Sequence, residues 1–250
     1  MKTLKPLETV VELNNNYFLI LTNDINNLTQ NILDIKKLNF KKIAKIKTFL
    51  LKIDFSNLNK KNYKKILKKL LFVKRIYKDK IGILENSKKL LGYVINYDKN
   101  NQNHNDFILA INAIFFKTRY KRYNYIYDTV CDYLDNSFYG KNLCDFKNNK
   151  CGEKRNTSST TGCCHHFKYK WLGPLSKLVL CEHLKEDYTC GAKCISCKLF
   201  TCDYLEKKGI KFRIKDILLL NVFFNPLQKY FIKYMVFTPK EKIIKRLMKL

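Results

Sequence analysis

The stretch "CEHLKEDYTCGAKCISCKLFTC", residues 181–202, holds five cysteines and one histidine in 22 positions. Thiolates repel one another and are costly to take out of water, so a fold that gathers many of them usually needs a cation among them. All ten cysteines of the 250-residue chain lie between Cys131 and Cys202, as do three of its four histidines. In an exported protein such a set would read as a disulfide framework. The opening "MKTLKPLETVVELNNN" contains no apolar run of signal-peptide length, so the expectation is a cytosolic protein, where reducing conditions favour metal binding or reactive thiols. The longest apolar window, "FILAINAIFF" from Phe107, falls well short of the roughly 18 residues of a membrane span, which argues against integral membrane insertion.

The candidate ligands are Cys144, Cys151, Cys163, Cys164, Cys181, Cys190, Cys194, Cys197 and Cys202, with His183 as the leading imidazole. Cys131 sits in a helical pattern and reads as a small buried hydrophobe. Zinc or an iron–sulfur cluster, the four-iron form favoured, would suit such donors. "CGAKCISC" has the C-x3-C-x2-C spacing of radical S-adenosylmethionine enzymes through Cys190, Cys194 and Cys197. Only 53 positions follow Cys197, too few for a barrel of about 200 residues, and that reading is rejected. A zinc ribbon wants two C-x2-C knuckles, and only Cys194 with Cys197 forms one.

"GCCHH" at 162–166, then "CEHLKEDYTC" and "SCKLF", resembles a bacterial family of zinc- or iron-chelating Cys-cluster proteins that includes relatives of flagellin lysine methylase. Gly162, Cys163 and Cys164 match its Gly-Cys-Cys element, Cys181, Leu184 and Cys190 its C-x2-L-x5-C segment, and Cys197, Lys198 and Phe200 its late Cys-basic-aromatic element. The family's further cysteine upstream of the pair is missing here, with "KRNTSSTT" in its place and Cys151 more distant. The resemblance spans about 50 residues and implies a bound metal or cluster more than a reaction. A four-iron cluster takes four thiolates, so Cys163 or Cys164 with Cys181, Cys190 and Cys197 would suffice. Cys194 and Cys202 then remain for a second site, packing or redox exchange. His165 and His166 are weaker imidazole candidates than His183.

The formal charge of +28 comes from 49 basic against 21 acidic residues. Lysine outnumbers arginine by 43 to 6, a bias that A/T-rich coding produces, but such bias does not remove glutamate. The excess is compatible with an anionic partner, the alternatives being nucleic acid, an acidic protein or a membrane surface. The chain lacks G-x4-GK[ST], G-x-G-x-x-G, HExxH and G-x-S-x-G, so no common nucleotide-binding or hydrolase signature supports an enzyme class.

Six of eight glycines lie from Gly140 to Gly209, inside the Cys-rich stretch. The expected organisation is a basic helical domain at 1–130 with short hairpins, a Cys-rich metal-binding segment at 131–209, and C-terminal helices at 210–250. "VVELNNNYFLIL" and "IGILENSKKLLGYVIN" read as hairpins. Between them, Tyr63, Ile66, Leu67, Leu70 and Leu71 recur at helical spacing, with Lys64, Lys65, Lys68 and Lys69 on the opposite face. One long helix is expected from about Asn105 to Asp135, its aromatic residues serving as core. "IKDILLLNVFFN" reads as helical or buried, and "TPKEKIIKRLMKL" as a helix capped by Thr238 with Glu241 in a capping box. The fold class is α+β, predominantly α-helical, with an irregular Cys-rich segment. The leading functional expectation is a metal-binding protein of unidentified reaction. The alternatives are a zinc-stabilised, non-enzymatic nucleic-acid-binding protein and, third, a thiol redox sensor.

Overall fold

A computed structural model describes residues 9–13, 17–21, 32–34, 50–56, 60–76, 83–84, 88–148, 150–156, 164–168 and 177–250. The fold is α+β and predominantly helical, in two compact units, residues 1–122 and 123–250.

In the first unit, β1 (Thr9–Leu13) and β2 (Tyr17–Leu21) pair antiparallel, as their sequence predicts. They join β3 (Ile32–Asp34), β4 (Leu50–Asp54), β5 (Ile83–Leu84) and β6 (Lys88–Ile95) in one mixed sheet of order β1-β2-β6-β4-β3, with β5 also on β6. The second expected hairpin exists as the short antiparallel pairing of Ile83 with Lys89 and Leu84 with Lys88. β6 is chiefly a central strand, parallel to both β2 and β4. Those partners are remote in sequence, because parallel strands require a crossover connection, so a local pattern cannot reveal them. Gly92 permits the β4–β6 approach: a Cβ there would lie 2.1 Å from the Leu51 carbonyl oxygen.

The crossover from β4 to β6 includes α1 (Lys60–Ile76). Its Tyr63, Ile66, Leu67, Leu70 and Val73 are buried at 4% exposure or less, as the periodicity requires, and Leu71 is half-buried. Lys64, Lys65 and Lys68 are exposed. Lys69 departs from the expected solvent face, being only 9% exposed. It borders the apolar stripe, where a lysine stem can cover hydrophobic surface. Phe55, Tyr63 and Phe107 form an aromatic cluster with His104, whose ring lies 4.7 Å from Phe55. His104 Nδ1 accepts the Asp98 backbone N–H at 3.0 Å.

The single long helix expected from Asn105 is two helices, α2 (Gln102–Phe115) and α3 (Arg119–Leu134). Phe116 turns extended at ψ 134°, and Thr118 Oγ1 accepts the Lys121 backbone N–H at 3.2 Å, capping the second helix. Two cations occupy the freed carbonyls at the end of α2. Lys74 Nζ donates to Ile114 O at 2.6 Å and Phe116 O at 2.9 Å, and Arg122 donates to Ala113 O at 2.9 Å. Tertiary hydrogen bonds thus satisfy a helix end that periodicity alone would have carried through.

Burial, and then the neighbouring Arg122, lower Lys74 to about 8. Since an unfolded lysine holds its proton to about 10.4, the unfolded state binds more protons between those values. Stability from Lys74 is therefore lowest below pH 8 and rises above it. Lys74→Met is expected to cost about 1 kcal/mol near neutral pH. The gap to wild type should widen from pH 8 to 10, as measured by denaturant unfolding at each pH.

In the second unit, α3 ends in a π-turn, Asp135–Tyr139, closed by Gly140 N donating to Asp135 O. There follow α4 (Gly152–Asn156), the hairpin β7 (His165–Lys168) with β8 (Lys177–Leu180), α5 (Ile195–Leu199) and α6 (Asp203–Lys207). The tail forms a 3-10 turn (Ile214–Asp216), α7 (Leu218–Phe223), α8 (Pro226–Tyr234) and α9 (Lys240–Lys249), with Leu219, Leu220, Ile232, Ile243, Ile244 and Leu247 buried. Thr238 does not cap α9: Pro239 occupies that position and no side chain caps the end. A full capping box occurs instead at Asn225 and Gln228 of α8, in the segment "NPLQ". Gln228 also donates to Tyr123 Oη at 3.1 Å and Leu247 O at 3.0 Å, joining α3, α8 and α9.

Candidate metal centre

Four segments of the second unit bring thiols to one cavity. The first is a turn after the π-turn. Asn142 brackets it, accepting from Phe146 N at 2.8 Å and donating to Phe146 O at 3.2 Å, and Cys144 O accepts Gly152 N at 2.7 Å. Gly152 is constrained here, because a Cβ would lie 2.3 Å from the Tyr204 ring. Cys144 is half-buried at this turn, and Cys151 is buried at its close.

The second element is the β7–β8 hairpin. His165 pairs with Leu180, and one position further out Cys181 N donates to Cys164 O at 2.8 Å, so Cys164 and Cys181 face each other at the hairpin's open end. The third is the loop from Cys181 to Cys190. Leu184 bridges Cys190, Gly191 N donates to His183 O at 2.8 Å, and Thr189 donates twice to Asp187 Oδ1, at 2.9 and 2.7 Å. Those Thr189 bonds hold the Asp187 carboxyl below the ordinary aspartate range. The fourth is α5, whose N-cap is Cys194 and whose first turn carries Cys197.

Cys144, Cys164, Cys181, Cys190 and Cys197 all line one cavity of about 40 Å³, together with apolar groups including Phe146, Leu184, Tyr188 and Phe237. Cys194 is buried against Cys197, its Sγ 3.7 Å from Met235 O, and Phe237 N donates to Cys197 Sγ at 3.4 Å. The Cys197 thiol donating to Cys194, assisted by backbone N–H groups of Cys197, Thr238 and Phe237 and opposed by burial, lowers Cys194 to about 6. Cys197, as donor in a buried pair, is pushed up. Two residues of the cavity wall hold left-handed backbone that large side chains rarely adopt, Tyr188 at φ 60° and Phe237 at φ 53°.

The other expected ligands lie elsewhere. Cys151 and Cys202 are outside the cavity wall, and the side chain of His183 is 52% exposed beside Glu182. Cys163 lies outside the described residues, and of His165 and His166 only the backbone is described. Cys131 is fully buried on α3, where burial pushes its thiol up to about 12. Among the described residues no two cysteines are joined by a disulfide. Among the described residues, no group of three or more Cys, His, Asp or Glu is arranged so that it could hold a metal ion as it stands. No local spacing points to Phe237 and Thr238, whose amides reach the thiols from about 40 residues along the chain.

No family description, curated protein or solved structure matches this chain. Among the described residues, no helix is long and apolar enough to cross a membrane.

Proposed function

We propose that the second unit is built around a thiolate-bound structural metal, zinc in first place, held by four of the cavity thiols. The observation that carries this reading is the arrival of five cysteines from four separate segments at one small, largely apolar cavity. Thiols in apolar surroundings lose hydration with little in return, so a bound cation is the economical reason to collect them. A structural zinc asks for four thiolates around one ion at about 2.3 Å, the simplest occupant for five thiols on one wall. Left-handed backbone at Phe237 turns successive amides toward Cys194 and Cys197, and such concave amide arrangements favour negative charge. The resemblance of Cys181, Leu184, Cys190 and Cys197 to the Cys-cluster family points the same way. Protein purified without oxygen should contain close to one zinc per chain and remain colourless. Near-stoichiometric iron and sulfide would replace zinc by a cluster, and protein carrying neither zinc nor iron would overturn the proposal.

The charge supports a second reading, compatible with the first, in which the metal stabilises a protein that binds nucleic acid. A net charge of +28 favours a polyanionic partner. Affinity falling steeply with added salt would test it.

A further inference from the structure

We infer that an open groove beside α5 is the seat of a single-stranded polynucleotide. The inference rests on the nucleic-acid reading for its class of partner, and not on the metal. The groove, about 760 Å³, runs between α5, the 211–215 segment and the end of α8. Lys211, Arg213, Lys215 and Lys233 line it with a single carboxylate, Glu206, so four positive charges against one leave +3. Among the described residues Lys211 is the one of these cations in a salt bridge, with Glu206 at 2.6 Å. Arg213, Lys215 and Lys233 are exposed.

Charge alone would suit any polyanion, and the aromatic groups narrow the choice. Phe200 and Tyr234 line the same groove at 49% and 55% exposure, large apolar rings that the fold leaves in water. Tyr234 is held by the Tyr230 ring, with centroids 4.6 Å apart, and by Lys233 Nζ 5.1 Å from its centre. Exposed rings among cations in a groove fit a strand that offers phosphates and free base faces together. A duplex hides its base faces, and an acidic peptide has none. Ser196 and Leu199 of α5 form part of one wall, so the helix that presents Cys197 to the thiol cavity also shapes the groove.

The test uses the full chain and fluorescence anisotropy with a labelled 12-nucleotide mixed-sequence RNA, the matching DNA strand and the matching duplex. Either single strand should bind more tightly than the duplex. Tyr234→Ala should weaken single-strand binding about tenfold through lost stacking. Neutralising three cations in Arg213→Gln/Lys215→Gln/Lys233→Gln should flatten the plot of log affinity against log salt by about 2, at roughly 0.7 per phosphate contact. The same change at Lys64, Lys65 and Lys68 should alter affinity less than threefold. All four groove positions are exposed, so far-ultraviolet dichroism and melting should match wild type and separate binding loss from misfolding. Binding that survives both groove variants, a preference for duplex, or an equal loss from the α1 lysines would overturn the groove. No binding to any of the three nucleic acids would overturn the nucleic-acid reading as well. Metal content, measured on the same samples, decides the metal proposal separately.

Discussion

Stripping the proposed metal with a strong chelator is expected to abolish the cooperative unfolding of residues 123–250. Structural zinc contributes about 10–16 kcal/mol of apparent binding free energy, comparable to the whole stability of a typical domain at about 5–15 kcal/mol. Among the described residues, the Cys144 turn, the Cys164–Cys181 hairpin end and the Cys190 loop include few of the unit's fully buried side chains, and hydrogen bonds rather than packing hold them. The double variant Cys181→Ser/Cys190→Ser leaves three of the five cavity thiols and should lose nearly all bound metal, with a broadened, low-temperature melt. Cys202→Ser and Cys131→Ala should retain full metal. Cys202 lies outside the cavity, and Cys131 packs on α3, where its truncation costs only packing, about 1 kcal/mol. Elemental analysis and thermal melting of the three variants decide the matter. Full metal in the double variant would refute the cavity as the site.

The second large effect is expected at Asp135. Its carboxylate ion-pairs with Lys198, whose side chain has no exposure to solvent, and also approaches Lys193 at 3.4 Å. Asp135→Asn removes the charge facing a fully buried ammonium, a change that costs about 3–5 kcal/mol when one partner of a buried pair is lost. Lys198→Met takes the buried charge away as well and preserves its packing volume. The remaining Asp135 is 24% exposed and still near Lys193, so this variant should lose less than about 2 kcal/mol. Urea unfolding of both variants gives the comparison, and equal losses would show that packing, not charge, is what position 198 supplies. Because Lys198 lies one residue after Cys197 on α5, Asp135→Asn should also weaken metal retention, whereas Lys198→Met should not.

Local sequence made several elements legible. The β1 and β2 strands, the buried face of α1 and the helices of the tail follow from side-chain period, which depends only on near neighbours. The break at Phe116 was not legible, because the carbonyls it frees are satisfied by Lys74, some 40 residues earlier, and by Arg122. Nor was the central position of β6, whose parallel neighbours are set by a crossover and not by its own composition. Lys69 shows the same limit on a small scale, since a lysine at the edge of an apolar stripe is placed by what packs over its stem.

The candidate site divides along the same line. The sequence by itself determined that the thiols are concentrated in one stretch of chain and that Cys194 and Cys197 stand three residues apart, near enough to meet across a turn. Only the tertiary structure decided which thiols share a wall: Cys164 with Cys181 through strand register, Cys144 through a turn tied to α4, and Cys151, Cys202 and the His183 side chain away from it. It also brought the Phe237 and Thr238 amides to the Cys194–Cys197 pair. Spacing along a chain limits which side chains can meet. Which of them do meet depends on burial and hydrogen bonding among segments far apart in sequence, and those terms exist only once the chain has folded.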